Sequence, residues 1–323
     1  MRLPIGVRIA LLVALMIAVG LVRVGVGPTH SDPQVAAQMF EIRLLRTISA
    51  GLVGGCLGLA GVLLQGLLRN PLASPDIMGL ASGAGLAVMV AAYASSMAGA
   101  GVVAGSGPLV PAMLGAFGVL TIVYVLSNRR GVIDPVAMIL VGVILSITCS
   151  AGTMLIQHLL PDRGVYAGRW LYGAIDEEAG GVRLAAAGVT LAIGLVASIS
   201  FGRTLDAAMM SEDETRSVGV RLGLVRGGQF VGAGLLSGAA VALAGPIGFI
   251  GLIGPHIARG IVGPVHRWQS PAAALVGAVL VIAADAGVRL LALPSGRLPL
   301  GVVTALLGGP VFLVMLLKVR RGR

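Results

Sequence analysis

Long apolar runs alternate with short polar stretches over the whole length of the chain. A helix crosses the hydrocarbon core of a bilayer with about 20 apolar residues, at a rise of about 1.5 Å per residue. The runs that reach or approach this length span residues 9–26, 47–68, 77–97, 109–126, 136–157, 184–201, 228–243, 247–262, 272–291 and 300–319. We therefore expect an all-α polytopic membrane protein with about ten transmembrane helices.

Two of these runs leave alternatives open. The seventh and eighth are short and are separated only by Ala244-Gly245-Pro246, so they form either two spans with a tight turn or one broken element. We favour two spans. The first run follows an arginine, as in a secretory signal peptide, but no small-residue cleavage site follows Val26. We expect it to remain as the first span.

Basic residues collect near alternate ends of the predicted spans. With the N-terminus inside, fifteen of the 23 basic residues fall on the inner side and eight on the outer side. Cytoplasmic loops carry the excess of lysine and arginine in membrane proteins, so both termini are predicted to face the cytoplasm. The net charge of +10 reflects this bias, and the arginines are too scattered to indicate a nucleic-acid partner.

The amino-acid composition of the chain limits the functions that it can have. Hydrophobic residues make up 57% of the chain and charged residues 11%, whereas a soluble domain carries about 25% charged residues. The single lysine is Lys318, which excludes the glycine-rich phosphate loop, because that loop ends in a lysine before a helix. If transport is driven by ATP, another chain must hydrolyse it. We expect no directly bound cofactor and no metal site.

Three polar stretches are too long to be simple turns. Those at about 27–46 and 158–183 are predicted to lie outside, either as solvated loops or as docking surfaces for an external partner. The third, at about 203–226, is predicted to be cytoplasmic. It reads as two short helices, with Thr204 capping the first, Ser211 and Glu214 forming a capping box, and Gly219 ending the second. These helices either support a partner protein or rest on lipid.

Charged and nucleophilic residues within the spans are the remaining candidates. Asp285 is the only acid well inside a predicted span, and Arg289 follows four residues later, which favours an ion pair on one helix face. A stand-alone proton-coupled transporter or channel would need more such acids. An intramembrane serine hydrolase would need Ser82 near a base such as His256 or His266.

Three ordered motifs carry a resemblance to a known family. They are GVLLQGLLRNPLASP at 61–75 with the following GLASGAG at 79–85, GPIGFIGLIGPHIAR at 245–259, and LPLGVVTALLGGPVF at 298–312. From about Arg43 to the C-terminus the chain resembles the FecCD-type permease subunits of ABC importers for iron–siderophore complexes, haem and vitamin B12. The chain is then one transmembrane permease domain over residues 1–323.

The resemblance implies a type II importer fold and a set of partners. These are a second permease subunit, identical or related, two ATPase subunits that use ATP and magnesium, and an external solute-binding protein. The implied function is import of an iron chelate, with an iron–siderophore complex foremost and haem or cobalamin as further candidates, across the bacterial cytoplasmic membrane.

Site residues follow from the resemblance position by position. The coupling residues are Ser211, Glu212, Glu214, Gly219 and Leu222, and the pathway residues are Leu80, Ser82, Gly83, Ser146 and Thr148. Arg43, Arg46 and Arg297 are the expected docking residues for the binding protein. Arg297 stands where family members often carry glutamate, so its position reverses a charge on the outer surface.

Overall fold

The chain folds into a bundle of helices. The computed structural model describes residues 3–26, 32–98, 109–129, 132–160, 171–175, 181–290 and 298–321. Its first five helices are α1 (Ile5–Gly25), α2 (Pro33–Leu67), α3 (Leu80–Met97), α4 (Leu109–Ser127) and α5 (Pro135–Leu159). The helices that follow are α6 (Gly181–Ser200), α7 (Gly202–Ala207), α8 (Glu212–Ser217), α9 (Leu222–Ala244), α10 (Ile250–Val262), α11 (His266–Leu290) and α12 (Leu300–Arg321).

Ten of these helices correspond to the ten predicted spans. Eight of them are long and apolar enough to cross a membrane, while α10 and the apolar part of α12, Leu300–Val314, are shorter. The predicted break between the seventh and eighth spans is confirmed, because α9 ends at Ala244 and α10 begins at Ile250. A short antiparallel pair, β1 (Asn128–Arg129) and β2 (Val132–Ile133), joins α4 to α5.

The predicted outer loop at 27–46 is wrong over most of its length. Helix α2 begins at Pro33, where Asp32 accepts a hydrogen bond from the backbone N–H of Gln34 at 2.8 Å. Proline at the first helical position and aspartate before it are both strong start signals. With 35 residues, α2 is about 52 Å long, well beyond the hydrocarbon thickness.

Helix α2 is the central helix of the bundle and packs mainly against α11 and α9. Glycines allow these backbones to touch. A Cβ atom at Gly54 would lie 2.1 Å from the carbonyl oxygen of Gly277, and one at Gly61 would lie 1.9 Å from that of Gly251. In lipid such close packing replaces the hydrophobic drive that folds soluble proteins, so these glycines stabilise the bundle.

Candidate functional site

The predicted cytoplasmic loop is a two-helix platform formed by α7 and α8. The N–H of Glu214 donates to Ser211 Oγ at 3.3 Å, and the N–H of Ser211 donates to Glu214 Oε2 at 2.9 Å. This is the predicted capping box, and its hydrogen bonds lower the pKa of the Glu214 carboxyl. The predicted cap at Thr204 is wrong, because α7 already begins at Gly202 after Phe201.

Helix α8 closes through Gly219, as the sequence indicated. Gly219 has φ of +78°, a left-handed conformation that a Cβ atom disfavours, and its N–H donates to Arg216 O at 3.0 Å. Thr215 is fully buried beneath the helix. Its hydroxyl donates to the carbonyl oxygen of Ala207 at 3.0 Å, which fixes α8 against the end of α7.

Three connections fix the platform to the spanning helices. Arg226 Nη2 of α9 lies 2.8 Å from Glu212 Oε1. His266 at the start of α11 contacts Asp206 Oδ1 through Nδ1 at 2.6 Å. Beyond the end of α2, Arg69 donates two hydrogen bonds, at 2.9 and 3.1 Å, to the carbonyl oxygen of Ala208.

Among the predicted coupling residues, Ser211, Glu214 and Gly219 are exposed on the platform, and Glu212 is exposed but shared with Arg226. Leu222 is different. Its side chain is buried at the first turn of α9, and its contact with an ATPase stays a prediction. The apolar side chain follows the ordinary preference for burial.

The predicted pathway residues divide into two groups. Ser82 of α3 is half-buried, and Ser150 of α5, which the sequence analysis did not select, approaches it with 3.5 Å between the hydroxyl oxygens. Ser146 is half-buried and Thr148 is exposed, and each hydroxyl donates to a carbonyl oxygen four residues earlier in α5. Ser82, Ser146 and Ser150 therefore lie between α3 and α5. Thr148 is two residues from Ser146 and Ser150, so it projects from another face of α5.

Leu80 and Gly83 belong to the interior of the chain. Leu80 is 1% exposed, and a Cβ atom at Gly83 would lie 2.3 Å from Val119 Cγ2 of α4. The predicted lining role of these two residues stays a prediction, and the structure shows their packing within the chain. The absence of a side chain at Gly83 allows α3 and α4 to cross closely there.

One carboxylate that the sequence analysis missed lies at membrane depth. After α2 the chain reverses direction and runs alongside that helix, because Gln65 Nε2 donates a hydrogen bond to the carbonyl oxygen of Ala73 at 3.4 Å. A Cβ atom at Gly251 would meet both Pro75 Cδ at 2.5 Å and Leu57 O at 3.1 Å. Leu57 precedes the end of α2 by ten residues. Pro75 therefore lies about 15 Å from that end, measured along the helix axis.

Asp76 follows Pro75 in a 3₁₀ turn, Pro75–Met78, with an exposed side chain. Its Oδ2 accepts from the Ser74 hydroxyl at 3.0 Å and from the Phe249 N–H at 3.4 Å. Phe249 is the residue before α10 and has φ of +69°. Asp76 is thus a second acid within the bundle, nearer to the C-terminal end of α2 than Asp285, which contacts Arg46. Asp76 was not among the predicted site residues, because it precedes the third apolar run and does not lie within it.

At the predicted outer side, Asp285 is fully buried between two arginines from other helices. Arg23 of α1 donates through Nε to Asp285 Oδ2, and Arg46 of α2 contacts Oδ1 through Nη2 at 2.8 Å. These two contacts between helices were not expected from the sequence, and the predicted pair of Asp285 with Arg289 stays a prediction. Arg46 is only 7% exposed and holds an internal ion pair, and its docking role stays a prediction.

The other predicted docking residues have different positions. Arg43 is half-buried and donates to the Val24 carbonyl oxygen at 3.4 Å, and its role in docking stays a prediction. Arg297 lies outside the described residues.

The sequence of this chain matches the model of the FecCD transport family over residues 7–318. The chain belongs to this family. It is 33% identical over 285 residues to the hemin transport system permease protein HmuU of Yersinia pestis, covering 88% of this chain and 84% of the relative. It is 35% identical over 286 residues to the vitamin B12 import system permease protein BtuC of Vibrio cholerae, covering 87% and 82%.

Two further matches extend the comparison. The iron(3+)-hydroxamate import system permease protein FhuB of Bacillus subtilis is 33% identical over 301 residues, covering 91% of this chain and 74% of the relative. A solved metal-chelate type ABC transporter in an inward-facing conformation superposes with a TM-score of 0.84 at 29% identity, covering 98% of this chain and all of the other. The FecCD chain described here is therefore a multi-pass permease subunit of an ABC importer, as the motifs indicated.

Proposed function

We propose that this FecCD permease imports an iron chelate, an iron–siderophore complex foremost, across the bacterial cytoplasmic membrane. The observation that carries the proposal is the match to permeases named for haem, iron hydroxamate and vitamin B12 over most of their length. All three ligands are large, tightly chelated metal complexes. A pathway with hydroxyls and few charges suits such cargo, because it passes the complex on without holding it.

The platform is the proposed docking site for two partner ATPases. Closure of an ATPase dimer would press on α8, and the contact of Glu212 with Arg226 would pass the force to α9. The contacts of Asp206 with His266 and of Ala208 with Arg69 would pass it to α11 and α2. Because three spanning helices are connected to one small surface, a small displacement there would move all of them together.

The pathway is proposed to lie against the exposed surface of α3 and α5. Ser82 and Ser150 would face a second permease subunit, identical or related, and an external binding protein would deliver the chelate. Of the two described docking candidates, Arg43 is more accessible to that binding protein than Arg46.

Co-purification from native membranes, with mass spectrometry of the bound chains, tests the ATPase part of this proposal. We expect a phosphate-loop ATPase to accompany the permease, and to be lost when residues 212–219 are replaced by a flexible linker. The matched control is Asp213→Asn, which changes an exposed acid of α8 and should retain the ATPase. Recovery of the permease alone under conditions that preserve other ABC complexes would contradict the assignment.

Uptake by proteoliposomes that contain the purified complex and its binding protein tests the cargo. A ferric siderophore, haem and cobalamin are offered separately at equal concentration. Accumulation of the siderophore complex supports the proposal. Accumulation of haem or cobalamin alone would show that the permease imports that chelate and not an iron–siderophore complex.

A further inference from the structure

A cavity of about 620 Å³ lies directly behind the platform, between α6 and α9. Its size falls within the range of about 300–1,000 Å³ that is typical of small-molecule sites. It is lined by Gly194 and Ala197 of α6 and by Leu224, Gly228 and Gly232 of α9. Phe201, between α6 and α7, Leu205 of α7 and Val220, after α8, also line it. Of the predicted coupling residues only Gly219 borders this space, and its proposed role does not use the interior.

Gly228 leaves out a side chain that would otherwise occupy space beside α9. A Cβ atom at Gly228 would meet nothing within 4 Å, so the gap beside α9 is open at this position. Empty apolar space costs stability through lost contacts, and a membrane protein is surrounded by acyl chains that can supply them. The outer surface of α6 carries the exposed apolar side chains Val189, Ile193 and Val196, so the surroundings of this helix are acyl chains.

Charge is confined to one end of the cavity. Arg221 is the only charged residue among the described lining residues, it is exposed, and it immediately precedes α9 beside the platform. It forms no ion pair with any residue that the structure describes. An apolar cavity with a single arginine at its platform end matches a phospholipid, whose acyl chain is apolar and whose phosphate accepts from a guanidinium.

We propose that this cavity binds one acyl chain of an anionic membrane phospholipid, with its headgroup phosphate on Arg221. The bound chain then packs against Leu205 and Val220 and supports the platform from behind, at the side opposite to an ATPase. The proposed lipid site does not depend on which chelate is transported, so its test is separate from the test of the proposed function.

Photo-crosslinking tests the position of the lipid. The full-length permease is placed in nanodiscs of phosphatidylcholine that contain phosphatidylglycerol with a diazirine on its acyl chain. After illumination, labelled peptides are identified by mass spectrometry. We expect labels on α6 and α9 residues that line the cavity. Labels distributed evenly over all exposed helices would overturn the proposal.

Two substitutions fill the cavity from opposite walls. Gly228→Leu and Ala197→Phe are each expected to abolish the labels within the cavity. Gly118→Leu is the matched control, because Gly118 of α4 is exposed, also has open space at its Cβ position and lines neither this cavity nor the groove near Tyr124. Equal loss of labelling in Gly118→Leu and Gly228→Leu would contradict the site.

Native mass spectrometry of delipidated protein, titrated with either lipid, tests the headgroup. Wild type should retain phosphatidylglycerol in preference to phosphatidylcholine, and Arg221→Gln should reduce that preference about fivefold, which equals about 1 kcal/mol for one basic contact. Arg216→Gln, at an exposed arginine of α8 outside the cavity, should leave the preference unchanged. No preference in wild type, or the same loss in both variants, would overturn the assignment of the phosphate to Arg221.

Discussion

The platform and the cluster around Asp285 are held by opposite kinds of interaction. Helix α8 of the platform is exposed and is shaped by contacts within a few residues, such as Ser211 with Glu214, while a few longer contacts connect the platform to the bundle. The cluster is buried and joins residues 262 and 239 positions apart in the chain. A local exposed contact costs little to lose, whereas removal of one partner from a buried ion pair leaves an uncompensated charge. The first arrangement suits a surface that moves, and the second suits a fixed frame.

The largest effect is expected for Asp285→Asn. It leaves Arg23 and Arg46 buried without their counter-charge, and loss of one partner from a buried pair costs about 3–5 kcal/mol. Thermal unfolding of the purified permease should show a much lower midpoint. Asp213→Asn, at an exposed acid of the platform, should be close to wild type. If the two variants unfold alike, the contrast between frame and platform is wrong.

A smaller effect, confined to coupling, is expected for Gly219→Val. The left-handed conformation costs a β-branched residue about 1–2 kcal/mol, so α8 would end differently. We expect uptake to fall about tenfold, the factor that corresponds to 1.4 kcal/mol, with unchanged amounts of protein in the membrane. Gly227→Val controls for bulk within α9, where no neighbour is within 4 Å. Unchanged uptake in Gly219→Val would show that this turn does not couple.

Asp76 shares features of both regions, because it contacts a neighbour, Ser74, and a distant backbone N–H, that of Phe249. Asp76→Ala removes an acceptor and should cost about 1 kcal/mol in unfolding free energy. Asp76→Asn keeps an acceptor oxygen but loses the charge. Uptake near wild type in Asp76→Asn, with loss in Asp76→Ala, would assign the side chain to positioning Phe249. Equal loss in both would show that the charge itself is needed for transport.

The smallest effect is expected for Ser211→Ala, at about 0.5 kcal/mol for loss of a helix cap. Hydrogen exchange of the α8 amides should quicken, while exchange in α2 stays slow. Wild type should also depend on pH. Because the hydrogen bonds from Ser211 lower the pKa of Glu214, their stabilisation is complete above the ordinary carboxyl pKa and is lost as pH falls through the lowered value. Protection of α8 that is constant down through this range would contradict the capping box.

The local features of the fold were readable from the sequence. Ten apolar runs predicted ten helices, Gly245-Pro246 predicted the break before α10, and S-x-x-E with Gly219 predicted both ends of α8. Each of these signals acts within one or two helical turns, so neighbouring residues suffice to determine it. Asp32 and Pro33 also mark the start of α2, and the prediction of a loop there is wrong because polar residues do not by themselves exclude a helix.

Contacts between distant segments were decided only by the tertiary structure. The sequence contains Asp285 with Arg289 one turn away, but nothing local shows that Arg23 and Arg46 converge on that carboxylate. In the same way, Gly83 packs against α4, and Asp76 reaches Phe249 across the bundle. The sequence by itself determined where helices begin and end, through short-range hydrogen bonds and apolar length. The side-by-side packing of rigid helices decided which charges meet and which cavity remains between α6 and α9. That packing is set by many weak contacts at once.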